Sequence, residues 1–167
     1  MAETYVLFEL AGTTYGLRTS EVQHMEMLER VTPVPNTSPA VEGVVFSRGQ
    51  VIPAVNLRVR FGLPREPHTM RSRLIVIQLQ QRLVGLIVDS AREFIAIPKE
   101  AIRPIQEAVS GMEGNYLKGI AALGPRLVLL LDLEVALNLG NEIQAPSASE
   151  LAAQFNAQTS EQQPVHN

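Results

Sequence analysis

The sequence predicts a mostly β protein made of two similar small units, each a barrel-like arrangement of about five strands with short helical turns. Short runs of β-branched and aromatic residues, bounded by Gly, Pro and Asn, recur along the chain and are typical of strands joined by turns. The same order of runs appears twice, once in each half of the sequence. Two repeated sets of short strands therefore predict two small barrels.

The first half is predicted to contain five strands. Its first segment alternates with period two and places residues 6, 8 and 10 on one face, which predicts a half-buried strand. A helical turn capped by Thr19 or Ser20 and carrying Val22 separates the second strand from the third. The strands are predicted at residues 4–10, 14–17, 24–28, 44–46 and 51–55.

The hairpin formed by residues 44–46 and 51–55 is the stretch around which this half is organised. Arg48 and Gly49 lie at its turn, where Gly supplies the backbone freedom that a tight turn requires. Pro53 has no N–H to donate to a neighbouring strand, so its strand is predicted to be an edge or to carry a bulge there. An accessible edge beside a fixed guanidinium favours a docking surface rather than a pocket for chemistry.

The second half repeats this order of elements. Its strands are predicted at residues 74–79, 83–88, 91–97, 116–123 and 126–131. Pro98 is expected at an early helical position, because its missing N–H does no harm there. Short helical turns are predicted at residues 57–61, 98–102 and 132–139. The stretches predicted to be loops are 31–41, 62–72 and 103–114.

Residues of the two halves align at two offsets. Gly16 aligns with Gly85 at an offset of 69, and Gly43 aligns with Gly119 at an offset of 76. Positions filled alike in both halves are predicted to be structural. Because Gly16 and Gly85 fall within strands, we expect a bend or a close backbone approach there.

Positions that differ between the halves are the ones expected to have functional roles. Arg48 aligns with Gly124, so the fold does not require Arg at this turn. The difference favours a partner contact for Arg48, with a structural salt bridge or a solvated turn residue as the alternative.

Length and composition predict one globular domain with a tail. The chain has 167 residues, 46% of them hydrophobic and 19% charged. The domain is predicted at 4–139, with approximate repeat halves 4–61 and 73–139, and a polar tail at 141–167. The longest aliphatic run, residues 127–131, is far short of the ~20 residues that cross a bilayer. With no signal-peptide pattern and no Cys, a cytoplasmic location is predicted.

The charge balance argues against a general nucleic-acid binder, since the net charge is −3. The Arg-rich stretch from Arg58 to Arg73 is interpreted as a solvated linker, because Phe61 alone offers base stacking there. Met25 and Met27 alternate in one predicted strand, where Met serves equally as core filling or as an adaptable partner surface.

Few residues point to chemistry. The three His residues lack metal-ligand spacing, and no Gly-x-Ser-x-Gly, Walker or Gly-x-Gly-x-x-Gly motif occurs. Asp89 and Asp132 each end a predicted strand, where a carboxylate caps the following turn. His24 is interpreted as a strand-surface residue, with a partner contact as the alternative. We therefore predict no catalytic residue, metal or cofactor.

The hairpin sequence resembles the signature of a known family. The run from Gly43 to Arg58 is similar to the pattern Gly-x-x-Asn-Leu-Arg-Gly-x-x-x-Pro-x-x-Asp-Leu-Arg of CheW-like domains, the bacterial chemotaxis coupling proteins. Further matches are Tyr15-Gly16-Leu17, Val22, Pro35, Pro39, Gly85-Leu86-x-Val88-Asp89, Ile102-Arg-Pro104, Leu117-x-Gly119 and Asp132-Leu133. Together these motifs cover residues 4–139.

The resemblance implies two SH3-like five-stranded barrels arranged as pseudo-symmetric subdomains. It also implies a non-catalytic adaptor that binds the regulatory domain of the histidine kinase CheA and the cytoplasmic tip of a methyl-accepting receptor. Arg48 matches the family's receptor-coupling Arg, and Val22 matches a position associated with partner binding. The residues predicted to contact partners are Val22, His24, Met25, Arg48, Gly49, Val51 and Pro53.

The chain departs from the family pattern at three places. Phe46-Ser47 stands where the family has Asn-Leu, Asn56 where it has Asp, and His24 where an acidic residue is common. These departures leave open a paralogue that serves type IV pilus twitching or gliding. Alternatives from other classes are a small-barrel ligand or nucleic-acid binding module and an unrecognised hydrolase.

Overall fold

The computed structural model describes residues 2–105 and 116–138. Within these residues the strands are β1 (Ala2–Leu10), β2 (Thr13–Arg18), β3 (Val22–Met27), β4 (Val41–Ser47), β5 (Gln50–Asn56), β6 (Arg73–Leu79), β7 (Arg82–Val88), β8 (Ser90–Pro98), β9 (Ile102–Arg103), β10 (Leu117–Leu123) and β11 (Arg126–Leu131). The helices are α1 (Leu57–Arg60) and α2 (Leu133–Ala136), and single 3₁₀ turns cover Thr19–Glu21 and Lys99–Ala101. The predicted polar tail and most of the predicted loop at 103–114 lie outside the described residues.

The strands form two similar sheets, which confirms the predicted mostly β fold. Sheet A has the strand order β8-β1-β2-β11-β10-β9. Sheet B has the strand order β3-β6-β7-β5-β4. Each sheet contains one parallel pair, β2 with β11 and β5 with β7, and its other pairs are antiparallel.

Each sheet is built from both halves of the chain. Strands β1 to β5 of the first half correspond in order to β6, β7, β8, β10 and β11 of the second half. Replacing each strand of sheet B by its counterpart gives β8-β1-β2-β11-β10, the order of sheet A without its short edge strand β9. The sheets are therefore equivalent, and with β9 left aside each half contributes two strands to one sheet and three to the other. The precise boundaries of the two repeat halves stay a prediction.

Irregularities of pairing repeat as well. The β4–β5 ladder shifts register between Val41 and Gly43, and the β10–β11 ladder shifts between Leu117 and Gly119. Both shifts lie at the offset of 76 residues. An internal repeat that preserves bulges preserves local backbone geometry and not only strand order.

The four repeated glycines lie in crowded places. A Cβ at Gly16 would lie 3.1 Å from the Leu130 side chain, and one at Gly85 would lie 2.7 Å from the Leu74 side chain. At Gly43 and Gly119 the nearest atoms are backbone oxygens, at 2.0 Å and 2.8 Å. Neighbouring side chains can move aside more easily than backbone can. Gly43 and Gly119, at the two register shifts, therefore leave the least room for any side chain.

Three apolar clusters hold the sheets together. One packs against the inner side of sheet A and includes Tyr5 and Leu7, and another packs against the inner side of sheet B. The third joins the two sheets and includes Phe8 and Leu10. The prediction of a half-buried first strand was therefore wrong, because β1 lies between two clusters and buries both faces.

Two predicted local features differ in the structure. Val22 begins β3 instead of lying in the preceding helical turn, and neither Thr19 nor Ser20 is the cap of that turn, which begins after Arg18 without a side-chain cap. Asp132 caps α2 as predicted, by accepting from the backbone N–H groups of Glu134 and Val135.

Asp89 does not cap the turn that follows its strand. Its carboxylate accepts from the backbone N–H of Ala11 at 2.8 Å and from Arg58 Nε and Nη2 at 2.9 and 2.7 Å. This bidentate pair ties α1 and the β1–β2 turn to the end of β7.

The interpretation of a solvated linker was wrong for Arg58 and Arg60. Arg58 is paired with Asp89, and Arg60 is buried. The Arg60 guanidinium donates to the backbone carbonyls of Ala136 and Asn138, at the end of α2. A helix leaves its last carbonyls without intrahelical partners, and a buried Arg can satisfy them.

Pro53 does not mark an edge strand, because β5 lies between β7 and β4. Val44, the partner of Pro53, exchanges both of its backbone hydrogen bonds with Thr32 on the other side of β4. The Pro53 nitrogen therefore faces away from β4. Pairing of β5 with β7 begins only at Ala54, so no neighbour requires the missing N–H. The edge strands of this sheet are β3 and β4.

Among the described residues, no helix has the length and apolar character needed to span a membrane.

Candidate functional site

The β4–β5 hairpin ends in a two-residue turn. Arg48 has φ +48° and Gly49 has φ +82°, and Ser47 pairs with Gln50 across the turn. Two consecutive positive φ values match the twist of the flanking strands and give a tight, rigid hairpin. Both turn residues are exposed, so the Arg48 guanidinium is presented at the tip.

One face of this hairpin is apolar and open. Phe46 pairs with Val51, and Val44 pairs with Pro53, so these four side chains share one side of the ladder. Phe46 is 74% exposed and Val51 is 64% exposed. We call Val44, Phe46, Val51 and Pro53 the hairpin face. The alternate residues, including Val45 and Ile52, point inward and are buried.

The equivalent positions of sheet A differ sharply. At the offset of 76 residues, the hairpin face corresponds to Ile120, Ala122, Leu127 and Leu129. Ile120 and Leu129 are 0% exposed and belong to the cluster between the sheets. The same sheet surface is therefore covered in one half of the molecule and open in the other.

Strand β3 contributes the remaining predicted contact residues. Val22 and Met25 are half-buried and pack against the cluster between the sheets. Met27 is exposed, so the two Met residues divide between core and surface. Thus Arg48, Gly49, Val51 and Pro53 share the exposed hairpin, whereas Val22 and Met25 lie in a supporting layer.

His24 lies on β3 close to the hairpin. Its Nε2 is 2.9 Å from Glu26 Oε2 and 3.2 Å from Ser47 Oγ. The buried Ser47 hydroxyl donates to the same carboxylate oxygen of Glu26. A shallow cleft of about 200 Å³ beside these residues is also lined by Arg48, Ile52 and other residues of β5, β6 and β7.

This cluster does not form a catalytic triad. In a Ser-His-acid triad one ring nitrogen faces the serine and the acid holds the other. Here the same nitrogen of His24 faces both Ser47 and Glu26, and the Ser47 hydroxyl donates its hydrogen bond to the Glu26 carboxylate. The hydroxyl is therefore not hydrogen-bonded to a histidine base in the way that a triad requires.

The electrostatics of the cluster favour an ionised Glu26. Burial raises the pKa of the Glu26 carboxyl, but hydrogen bonds from Ser47 and His24 and the charges of His24 and Arg48 outweigh burial and lower it. Glu26 is therefore a fixed negative charge near the Arg48 turn at neutral pH.

Sequence reasoning missed Phe46, Glu26 and Ser47 as site residues. A two-residue turn at Arg48-Gly49 fixes Phe46 opposite Val51, so the turn signal was enough to place Phe46 on the open face. The contact of Glu26 with Ser47 joins strands 21 residues apart that are not neighbours in a sheet, and no local pattern indicates it.

No group of three or more potential metal ligands occurs among residues 2–105 and 116–138. His68, the other His in these segments, pairs with Glu42 at 2.8 Å.

Comparison with known proteins places the hairpin in a family context. The model of the CheW-like domain matches residues 4–140, which include both sheets. The chain is 31% identical over 138 residues to the chemotaxis protein CheW of Klebsiella aerogenes, with 83% of each chain covered. It is 29% identical over 136 residues to CheW of Bacillus subtilis, covering 81% of this chain and 87% of that protein.

A solved structure shows the same architecture. The scaffolding protein TtCheW from Thermoanaerobacter tengcongensis superposes with a TM-score of 0.76 at 29% identity, covering 83% of this chain and 94% of that one. Two equivalent sheets, the hairpin signature and a match over nearly the whole described fold lead to one conclusion: the chain belongs to the CheW-like domain family.

Proposed function

We propose that the chain holds a CheA-type histidine kinase beside the cytoplasmic tip of a methyl-accepting receptor, and that the hairpin face with Arg48 docks one of these partners. The chain is a non-catalytic chemotaxis adaptor, as its family membership shows. Because the proposed partners are a kinase domain and the cytoplasmic tip of a receptor, we propose that the chain is cytoplasmic and is associated with membrane receptor arrays through these partners.

The observation that carries the proposal is the unequal exposure of equivalent surfaces. Phe46 and Val51 are mostly exposed, whereas their counterparts in sheet A, Ala122 and Leu127, are partly buried, and Leu127 packs against the cluster between the sheets. A contiguous apolar surface on a stable protein marks an interaction site, because its exposure to water is unfavourable. Arg48, at the rim of this surface, supplies a directional contact to a carboxylate or carbonyl group of a partner.

The remaining predicted residues fit a supporting role. Val51 and Pro53 are proposed to contact the partner, and Gly49 allows the turn that presents Arg48. Val22 and Met25 are proposed to set the position of β3 from the central cluster below. His24 is proposed to act at the boundary between this layer and the hairpin.

The mechanism is geometric. A rigid body that binds two proteins fixes their relative position and raises the effective concentration of one near the other. A change in receptor conformation then biases the kinase if the two receptor states make different contacts with the complex.

The test replaces Arg48 by Ala and measures binding separately to a receptor cytoplasmic fragment and to the kinase regulatory domain. We expect about tenfold weaker binding to one of them, because an anchoring Arg commonly contributes this much. Unfolding free energy should change by less than about 0.5 kcal/mol, since Arg48 is an exposed turn residue.

Arg82→Ala is the matched control, because Arg82 is an exposed Arg beside the β6–β7 turn. If R48A bound both partners as tightly as R82A, the hairpin tip would not be the docking site.

A further inference from the structure

The two outer strands of sheet B are joined by side chains. In the sheet order β3 and β4 are the opposite edges, and the backbone ladders given for β3 and β4 run to β6 and β5. His24 and Glu26 on β3 nevertheless meet Ser47 on β4 through the three contacts described above. These side chains link the two edges of the sheet at the hairpin end.

Sheet A has different residues at the same place. The counterparts of Glu26 and Ser47, at offsets of 69 and 76 residues, are Ile95 and Leu123. Both are partly buried and pack against the cluster inside sheet A. At these two positions sheet A therefore has apolar side chains, whereas sheet B has members of a hydrogen-bonded group. The counterpart of His24 is Glu93, which instead pairs with Arg126 of β11 at 2.8 Å.

Apolar side chains and hydrogen-bonded side chains differ in what they constrain. Apolar packing tolerates small changes in direction, whereas a hydrogen bond weakens steeply when its angle changes. Ser47 is buried and directly precedes Arg48 in the chain. Fixing the Ser47 hydroxyl therefore fixes the backbone from which Arg48 projects.

We infer that His24, Glu26 and Ser47 form a polar clasp whose role is to position Arg48, which makes the three of them positioning residues of the docking surface. His24 and Ser47 are two of the positions at which the chain departs from the family pattern, and they contact each other. The clasp itself rests on geometry alone, and its role in docking rests on the proposed function.

The first test needs no partner. Ser47→Ala removes the central hydroxyl, and Leu123→Ala truncates its counterpart in sheet A. Amide hydrogen exchange is measured on both hairpins of the full chain. In S47A we expect about tenfold faster exchange at the Ser47–Gln50 and Val45–Ile52 pairs, with the β10–β11 pairs unchanged.

L123A should show the opposite pattern, with faster exchange confined to sheet A. Unchanged β4–β5 exchange in S47A, or an equal rise in both sheets of S47A, would overturn the clasp.

The second test asks whether the clasp acts through Arg48. The double substitution Glu26→Ile with Ser47→Leu copies the apolar residues that sheet A has at the equivalent positions. The melting temperature should be kept or raised, because an apolar replacement of a buried polar group is often neutral or stabilising. Affinity for whichever probe responds to R48A, the receptor fragment or the kinase domain, should fall about threefold to tenfold.

Adding R48A to this double variant should lower the affinity only slightly further, because the effects of substitutions that act through one contact are not additive. The positioning role would be overturned if the affinity losses of R48A and of Glu26→Ile with Ser47→Leu were fully additive. It would also be overturned if Glu26→Ile with Ser47→Leu left the affinity unchanged. If R48A alone had no effect on either probe, the docking proposal and the positioning role would both fall, and hydrogen exchange would still decide whether the clasp exists.

Discussion

Gly43 shows how one residue can be fixed by its surroundings. It has φ +154° at the β4 bulge, and an added Cβ would lie 2.0 Å from the Thr32 carbonyl oxygen. Thr32 bonds to Val44 through both backbone groups, so it cannot move away without breaking a bridge. Gly is required here for space as well as for conformation.

We expect Gly43→Ala to lower the free energy of unfolding by about 3–5 kcal/mol, in the range that only backbone clashes and core defects reach. Chemical denaturation measures the loss. Gly49→Ala is the control, because Gly49 also has positive φ but has open space around it. It should lose only about 1–2 kcal/mol. Equal losses of stability in the two variants would show that the positive φ, and not the nearby Thr32 backbone, is the reason that Gly is required at position 43.

The helix caps show the repeat at the scale of the element. Asn56 caps α1 and Asp132 caps α2, each by accepting from the backbone N–H groups two and three residues later. The two residues are related by the offset of 76; Asn56 is the last residue of β5, and Asp132 directly follows β11. Asn56 also donates from its amide to Glu42 at 2.8 Å and is buried.

Asn56→Ala is expected to cost more stability than Asp132→Ala, because it removes a cap and leaves Glu42 without a buried donor. We expect about 2–3 kcal/mol for Asn56→Ala and about 1 kcal/mol for Asp132→Ala from thermal or denaturant unfolding. A larger loss at Asp132 would contradict this account of the Glu42 contact.

Acid stability is a property of the whole molecule, since Asp89 and Glu42 each join separate parts of it. Burial raises the pKa of Asp89, but the Arg58 hydrogen bonds and charge and the Ala11 amide lower it below its ordinary value of 3.8. Burial likewise raises the pKa of Glu42, but Asn56, His68 and Arg65 lower it below 4.5. Both groups therefore stabilise the folded state when they are ionised.

Stability should be nearly constant above about pH 5.5 and fall as the pH drops through 4.5 and 3.8, because the folded state must then take up protons against these contacts. Unfolding free energies measured from pH 7 to pH 3 test the direction. The Asp89→Asn variant should be less stable than the unchanged protein at pH 7, and its unfolding free energy should fall less on acidification. A stability that rose below pH 4.5 would contradict the assignment.

The exchange of strands between sheets predicts that neither half folds alone. A chain cut between residues 66 and 67, in the exposed connector before β6, leaves every strand intact. Each fragment should lack native β structure by circular dichroism, because each sheet draws strands from both fragments. Mixing the fragments should restore the native spectrum. A folded isolated fragment would show that one half forms its own barrel.

Much of this molecule follows from short stretches of sequence. Alternation with period two and turn residues indicate strands, and these signals act within a few residues. They were enough to predict the strands other than the short β9, the Arg48-Gly49 hairpin and the internal repeat. The same local signals placed Arg48, Gly49, Val51 and Pro53 on one hairpin.

Only the tertiary structure decided which surfaces meet. It showed that β1 is buried on both faces, that β5 is an inner strand, and that Arg58 and Arg60 hold other elements in place. It also brought Ser47 to Glu26 across the open side of sheet B. The physical reason is that burial and long-range hydrogen bonds depend on which strands become neighbours. In a protein whose halves share both sheets, strands far apart in the sequence determine that pairing.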